Sequence, residues 1–213
     1  MRLMKLEHST LVLEEGGERL IIDPGSFTTP ITEATGVVAI VITHEHGDHW
    51  TADQVRRILA DSPQARILGP SGVAAAAASD FPVETVSPGD VHSIGAFTLR
   101  FFGGRHAVIH SSIPVVDNVG VLVNDTLYYA GDSFHIPEGV SVDALAVPAG
   151  APWMKVGDAI DYVLAVAPKR AFPVHEMVLS RAGKDLSNTR LQWAVEQGGG
   201  HYDALEPGDS IQL

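Results

Sequence analysis

The chain has 213 residues, of which 45% are hydrophobic and 19% charged, so it is long enough to bury one substantial core. Its formal net charge of -12 disfavours nucleic acid and membrane surfaces as partners, because both are bound by clustered Lys and Arg. Cysteine is absent, which excludes thiolate ligands and leaves nitrogen and oxygen to hold any metal. We therefore expect one domain over residues 1–213. No segment has the pattern of a signal peptide or the length of a membrane span, so we expect a cytoplasmic location.

Short apolar segments alternate with turn residues, which predicts many strands and a few helices. The segments "STLVLEE" and "RLIIDPG" predict a hairpin closed by a glycine turn. Two helices follow, "TADQVRRILADS" with Thr51 as its N-cap and "SGVAAAAASD" with Ser71 as its N-cap.

The second part of the chain returns to strands at "AFTLRFFGG", "VGVLVND" and "TLYYAGD", and Asn124 and Asp125 form the tight turn between the last two. A helix at "VGDAIDYVLAVAP", a strand at "RAFPV" and a helix at "SNTRLQWAVEQGGG", ended by its glycines, complete the order. Strands followed by helices thus occur twice. This repetition predicts two similar halves, packed as sheets with helices outside.

Polar side chains of metal-binding type follow four of the predicted strands. The run "VVAIVI" leads into "THEHGDHW", and the other three strands lead into single polar residues; the candidates are His44, His46, Asp48, His49, His106, Asp132 and His175. Loops at one end of a sheet commonly assemble a site, so we expect these segments to converge. Imidazole nitrogen and carboxylate oxygen together suit a borderline divalent metal.

The motif and its surroundings resemble the metallo-β-lactamase superfamily, whose His-x-His-x-Asp-His signature appears here from His44 to His49. The strings "LIIDPG", "THEHGDH", "GGRH", "YYAGDS" and "FPVH" occur in the order of that family. On length and on "GGRHAVIHSSIP" and "APWMK", the chain is most similar to the compact metal-dependent hydrolases related to L-ascorbate-6-phosphate lactonase and N-acyl phosphatidylethanolamine phospholipase D. The resemblance implies an α/β fold, a four-layer αββα sandwich with a two-metal site at its edge.

The same resemblance implies a ligand set. His44, His46 and His106 would bind the first ion, whereas Asp48, His49 and His175 would bind the second. Asp132 would bridge the two ions, which we expect to be zinc, with manganese or iron as alternatives.

Several further residues have a less definite role. "GGRHAVIH" offers both His106 and His110; His106 follows the strand and its glycines as the family pattern requires, and His110 is then a candidate for contacting substrate or protonating a leaving group. His135 has the same ambiguous status as His110. His8 and Asp23 are candidates for orienting ligands by hydrogen bonds. In "APWMK", Trp153 and Lys155 would line a pocket or serve only in packing.

These residues predict a hydrolase that attacks a small-molecule ester, lactone or phosphoester with metal-bound hydroxide. Asp48 would ligate an ion and orient the attacking water, and Asp132 would set the ion spacing. Two other classes stay open: iron-dependent oxidation of a small sulfur substrate at a single metal, and a non-catalytic metal-binding module. We expect no nucleic-acid or membrane partner, and a homo-oligomer is compatible with this interpretation.

Overall fold

The computed structural model describes residues 1–213. Its first seven strands are β1 (Arg2–Lys5), β2 (Leu11–Glu15), β3 (Glu18–Ile22), β4 (Val37–Val41), β5 (Arg66–Gly69), β6 (Glu84–Thr85) and β7 (Val91–Ile94). The others are β8 (Phe97–Arg105), β9 (Asp117–Val123), β10 (Leu127–Tyr129), β11 (Ala144–Pro148), β12 (Arg170–Val174), β13 (His201–Tyr202) and β14 (Ser210–Gln212). The helices are α1 (Ala52–Asp61), α2 (Ser71–Ala77), α3 (Val156–Val166) and α4 (Arg181–Gln197).

The strands form two seven-stranded sheets with the same pairing pattern. The first sheet has the order β14-β1-β2-β3-β4-β5-β6 and the second has the order β13-β12-β11-β10-β9-β8-β7. Counted from β14 in one sheet and from β7 in the other, three antiparallel pairings are followed by three parallel ones. In each sheet two helices connect the parallel strands. The expectation of two similar β-rich halves is therefore confirmed.

Three apolar clusters hold the layers together. The largest contains 23 buried residues and lies between the sheets, with Leu13 and Leu20 from the first sheet and Phe101 and Phe172 from the second. A cluster of 15 residues joins α3 and α4 to the second sheet, and one of 12 residues joins α1 and α2 to the first. The order of layers is thus helix, sheet, sheet, helix, the αββα sandwich. No helix combines the length and the apolar character that crossing a membrane requires.

Local signals in the sequence account for several element boundaries. The β2–β3 turn has Gly16 and Gly17 at positive φ, and Asn124 and Asp125 adopt φ of 50° and 49° between β9 and β10, as their residue types permit. The side chain of Thr51 accepts a hydrogen bond from the amide of Gln54, so the predicted N-cap of α1 is confirmed.

Two helix starts were predicted wrongly. Pro70 is the N-cap of α2, and the Ser71 hydroxyl instead donates to Asp117 on β9, whose carboxylate also accepts from the amide of Gly72. Helix α4 begins at Arg181, with Ser180 as its cap, six residues before the predicted start at Ser187. Its first turns are largely exposed and include Gly183, so they lack the apolar periodicity on which the prediction depended.

Candidate metal centre

The four polar segments predicted to converge do so at one edge of the sandwich. Each follows the end of a strand: the histidine-rich segment follows β4, and His106, Asp132 and His175 follow β8, β10 and β12. Gly131 makes the approach of Asp132 possible, because it has φ of +64° and a Cβ there would overlap the side chains of Asn118 and Thr43.

Three histidines form the first group of candidate ligands. The ring nitrogens of His44, His46 and His106 lie within 4.8 Å of one another. His44 Nε2 is 3.1 Å from His46 Nδ1, and the ring of His106 is centred 4.8 Å from each of the other two rings. His44 and His106 are buried, whereas His46 is partly exposed.

The second group contains Asp48, His49 and His175, together with His8. Asp48 Oδ2 lies 3.6 Å from His175 Nε2 and 3.9 Å from His49 Nε2. The two groups meet at Asp132, whose Oδ2 lies 3.1 Å from His175 Nε2 and 3.4 Å from His106 Nε2. Its Oδ1 lies 3.2 Å from His49 Nε2. Asp132 thus lies between the two groups, with Oδ2 close to a histidine of each and Oδ1 close to a second histidine of the second group.

Hydrogen bonds at the Nδ1 atoms determine which ring nitrogen of three histidines faces the centre. His49 Nδ1 donates to Asp23 Oδ2 at 2.7 Å, His106 Nδ1 to the carbonyl of Ala107 at 2.5 Å, and His175 Nδ1 to the carbonyl of Gly150 at 2.7 Å. Because each Nδ1 carries the proton, the lone pair of the neutral ring is on Nε2. This arrangement is the one that metal-binding histidines require.

Asp23 is buried beneath the ligands and accepts several hydrogen bonds there. Besides accepting from His49, its carboxylate accepts from the amide of Thr43 at 2.8 Å and from the Thr43 hydroxyl at 2.7 Å. The Thr43 oxygen in turn lies 3.1 Å from His44 Nδ1. Asp23 thus orients one histidine directly and a second through Thr43.

His8 orients Asp48 and does not present a lone pair to an ion. The amide of Met177 donates to His8 Nδ1 at 3.4 Å, so the proton of the neutral ring is on Nε2, which donates to Asp48 Oδ2 at 3.2 Å. Burial lowers the pKa of His8 to about 4, so the ring is neutral at pH 7. The hydrogen bonds expected of both His8 and Asp23 are present.

Charge in the metal-free centre is divided between the histidines and the carboxylates. Burial lowers the pKa of His44 far below its usual range, and that of His46 below it. Burial also opposes a charge on His49 and His175, but the nearby Asp132 carboxylate outweighs burial and raises the pKa of both rings. Asp23 adds to this effect at His49. Against the same burial, His49 and His175 hold the pKa of Asp132 well below normal, and His8 and His49 lower that of Asp48.

The fit of this centre to divalent metal is tested by its unpaired polar atoms. His49 Nε2, His106 Nε2, His175 Nε2 and Asp132 Oδ1 are buried and have no hydrogen-bond partner. Buried polar atoms of native proteins are nearly always satisfied, so four unpaired atoms in one place call for a ligand. All four are nitrogen or oxygen atoms that offer a lone pair when the histidine rings are neutral. The residues present therefore fit divalent metal.

The remaining candidates are not members of either group of ligands. His110 is exposed in the loop after His106, where its Nδ1 accepts from the amide of Ser112. His135 is partly buried and belongs to neither group. Trp153 does more than pack: its indole N–H donates to Asp132 Oδ2 at 2.8 Å, a contact that no feature of the sequence had indicated. Lys155 is exposed.

The fold and the cluster together define a metal-binding αββα sandwich, and comparison with known proteins agrees. A model of the β-lactamase superfamily domain matches residues 2–175. The chain is 40% identical over 196 residues to Protein Rv0786c of Mycobacterium tuberculosis, with 90% of this chain and 91% of that protein covered. It is 28% identical to a UPF0173 metal-dependent hydrolase of Desulforamulus reducens over 100% of both chains.

Among solved structures, Igni18, a metallo hydrolase from the archaeon Ignicoccus hospitalis, superimposes with a TM-score of 0.73 at 17% identity, covering 99% of this chain and 97% of that one. At that identity the likeness concerns the fold alone. The chain belongs to the metallo-β-lactamase superfamily.

Proposed function

We propose that this protein is a metal-dependent hydrolase of small-molecule carboxylic esters or lactones. The observation that carries the proposal is the convergence of three buried Nε2 atoms and one carboxylate oxygen, all without partners, from four separate segments. The UPF0173 relative named a metal-dependent hydrolase supports the same reaction class. When bound, two divalent ions lower the pKa of a water molecule towards neutrality and polarise the substrate.

The chain's own residues divide the remaining work. His44, His46 and His106 would hold one ion, Asp48, His49 and His175 would hold the other, and Asp132 lies between the two sets. Asp48 is the more accessible carboxylate, with 27% of its side chain exposed against 4% for Asp132. Since its pKa is held low, Asp48 is an acceptor at pH 7 and can hold a water by a hydrogen bond to its free oxygen. His110 is the proposed proton donor to the leaving group.

Apolar side chains near the centre favour a substrate with an apolar part. Phe27 is exposed and lies edge-on to His8, with ring centroids 4.9 Å apart. Val108 and Met177, also exposed, each come two residues after a proposed ligand. Exposed apolar groups beside a polar centre are typical of a ligand-binding surface.

Phosphoesters are the second candidate substrate class. Arg105 and Lys155 are exposed and form no ion pair. In the sequence, Arg105 directly precedes His106, and Lys155 comes two residues after Trp153. Arg181, in contrast, is paired with Asp185 and Glu206. Two free cations would serve an anionic group, whereas they add nothing for a neutral ester.

The test is an assay of protein loaded with Zn, Mn or Fe against aryl esters of increasing acyl length, lactones and phosphodiesters. We expect carboxylic ester or lactone turnover that persists without oxygen, incorporates oxygen from isotopically labelled water and improves with acyl length. Asp48→Asn should abolish it, whereas Asp53→Asn, an exposed change on α1, should not. Turnover confined to phosphodiesters would favour the second class. A requirement for oxygen with iron as the sole effective metal would replace hydrolysis by the oxidation alternative.

A further inference from the structure

The loop that follows β11 contacts two proposed ligands of the metal centre. Its start is tied to β12 by a hydrogen bond from the amide of Ala149 to the carbonyl of Val174. The next residue, Gly150, accepts from His175 Nδ1, and a Cβ there would overlap the side chain of Leu179 unless that side chain moved. Three residues later, Trp153 donates to Asp132.

The backbone of Asp132 is already fixed without Trp153. Its amide donates to Asn118 Oδ1 at 3.0 Å, and its carbonyl accepts from the amide of Ala107 at 2.8 Å. Neither bond determines the rotation of the carboxylate about its last side-chain torsion, which is broad for aspartate. The indole N–H is the one donor to this carboxylate that does not come from a proposed metal ligand, and it binds Oδ2, the oxygen that faces His106 and His175.

The ring of Trp153 is held in place by its own contacts. It packs edge-on against Phe134, with centroids 5.1 Å apart, and lies 6.1 Å from the ring of His106 and 6.4 Å from that of His175. The side chain is therefore a fixed donor, and its position spans ligands of both proposed ions.

We infer that Trp153 is a positioning residue of the metal centre, which sets the orientation of the Asp132 carboxylate between the two ions through its indole N–H. The bond also draws electron density from the carboxylate, so Asp132 donates less charge to the ions and their acidity is higher. This inference rests on the metal-binding part of the proposed function and on no particular substrate.

The experiment compares Trp153→Phe with Trp193→Phe, a matched loss of an exposed tryptophan on α4. We expect the phenylalanine at 153 to keep the aromatic packing but to weaken binding of divalent metal about 10- to 100-fold, the usual effect of losing a partner of a metal ligand. Chelator competition with Zn measures the affinity, and the visible absorption of the Co-loaded protein reports the ligand geometry, which should change in the 153 variant alone.

A second variant separates the hydrogen bond from the shape of the ring. Benzothienylalanine at 153 replaces the N–H by sulfur in a ring of similar shape, and it should reproduce the changes seen with phenylalanine. If it binds metal with the wild-type affinity and Co spectrum, the N–H has no positioning role and the inference is wrong. Equal affinities and spectra for the 153 and 193 phenylalanine variants would overturn it as well. A wild-type protein that binds no divalent metal would instead refute the metal centre and the proposed function together.

Discussion

Replacing Asp23 by Asn should change the tautomer of His49 while leaving the backbone intact. Asp23 has φ of 49°, a conformation that Asn also tolerates. With the Asn oxygen facing the amide of Thr43, its NH₂ group occupies the place of Oδ2, 2.7 Å from His49 Nδ1. That nitrogen must then accept, so the ring proton moves to Nε2 and the lone pair facing the centre is lost.

The magnitude follows from the bonds involved. Loss of a partner that orients a metal ligand weakens binding about 10- to 100-fold, or about 1.4–2.7 kcal/mol, and the second ion should carry this loss. Replacing the charged acceptor of three buried donors by a neutral amide should lower the free energy of unfolding by roughly 1–3 kcal/mol. In the opposite orientation, the NH₂ group of the Asn side chain would face the backbone N–H of Thr43, and two donors would then lie opposite each other. The loss of stability would be similar.

Three measurements check this prediction. Chelator competition gives the affinity of each ion, NMR of the histidine ring nitrogens gives the tautomer of His49, and denaturant unfolding gives the stability. Asp53→Asn is the control, because its carboxylate is exposed and pairs with Arg56 alone. Unchanged second-ion affinity in Asp23→Asn, with the His49 proton still on Nδ1, would refute the reasoning.

Three other outcomes are expected. His106→Ala should lose the first ion, whereas His110→Ala should keep both and at most slow turnover; metal analysis showing the reverse would mean that the ligand has been assigned to the wrong histidine. His175→Ala should weaken the second ion more than the first while the fold survives, and full occupancy of the second site in this variant would identify another residue as the ligand. Since the pKa values of His49 and His175 are raised in the metal-free protein, both rings hold their extra proton to a higher pH than an ordinary histidine and must lose it on binding. Metal affinity should therefore rise with pH, and calorimetry in buffers of different ionisation enthalpy should detect proton release at pH 7; a heat independent of buffer would contradict this.

The sequence predicted those features that depend on residues close together in the chain. The hairpin turns at Gly16 and Asn124 require positive φ, which their residue types permit, and the predicted strands end directly before the polar segments. The histidine motif places four candidate ligands within six residues, so their proximity needed no tertiary information. The rest of the site requires strands to be adjacent, and the family resemblance supplied that.

Contacts made across the fold gave no signal in the sequence. Strand β14 is three residues long, and it pairs with β1 at the other end of the chain, so no local periodicity identifies it. Capping of α2 by Asp117, from the opposite sheet, could not be predicted from neighbours of Ser71. The hydrogen bond from Trp153 to Asp132 depends on the path of the loop after β11. The sequence of that loop, which contains Pro152, does not predict its path.

The division of the chain into two similar halves gives the centre a further consequence. One half supplies His44, His46, Asp48 and His49, and the other supplies His106, Asp132 and His175. Ions bound by ligands from both halves would cross-link the halves at the edge of the sandwich. This edge is polar, because the apolar cluster between the sheets does not extend to it. In a chain with no cysteine they would take the place of a disulfide, and at a free concentration 100 times the Kd each would stabilise the folded state by about 2.7 kcal/mol. Removing the metal should therefore loosen the contact between the two halves at this edge before it affects the apolar core.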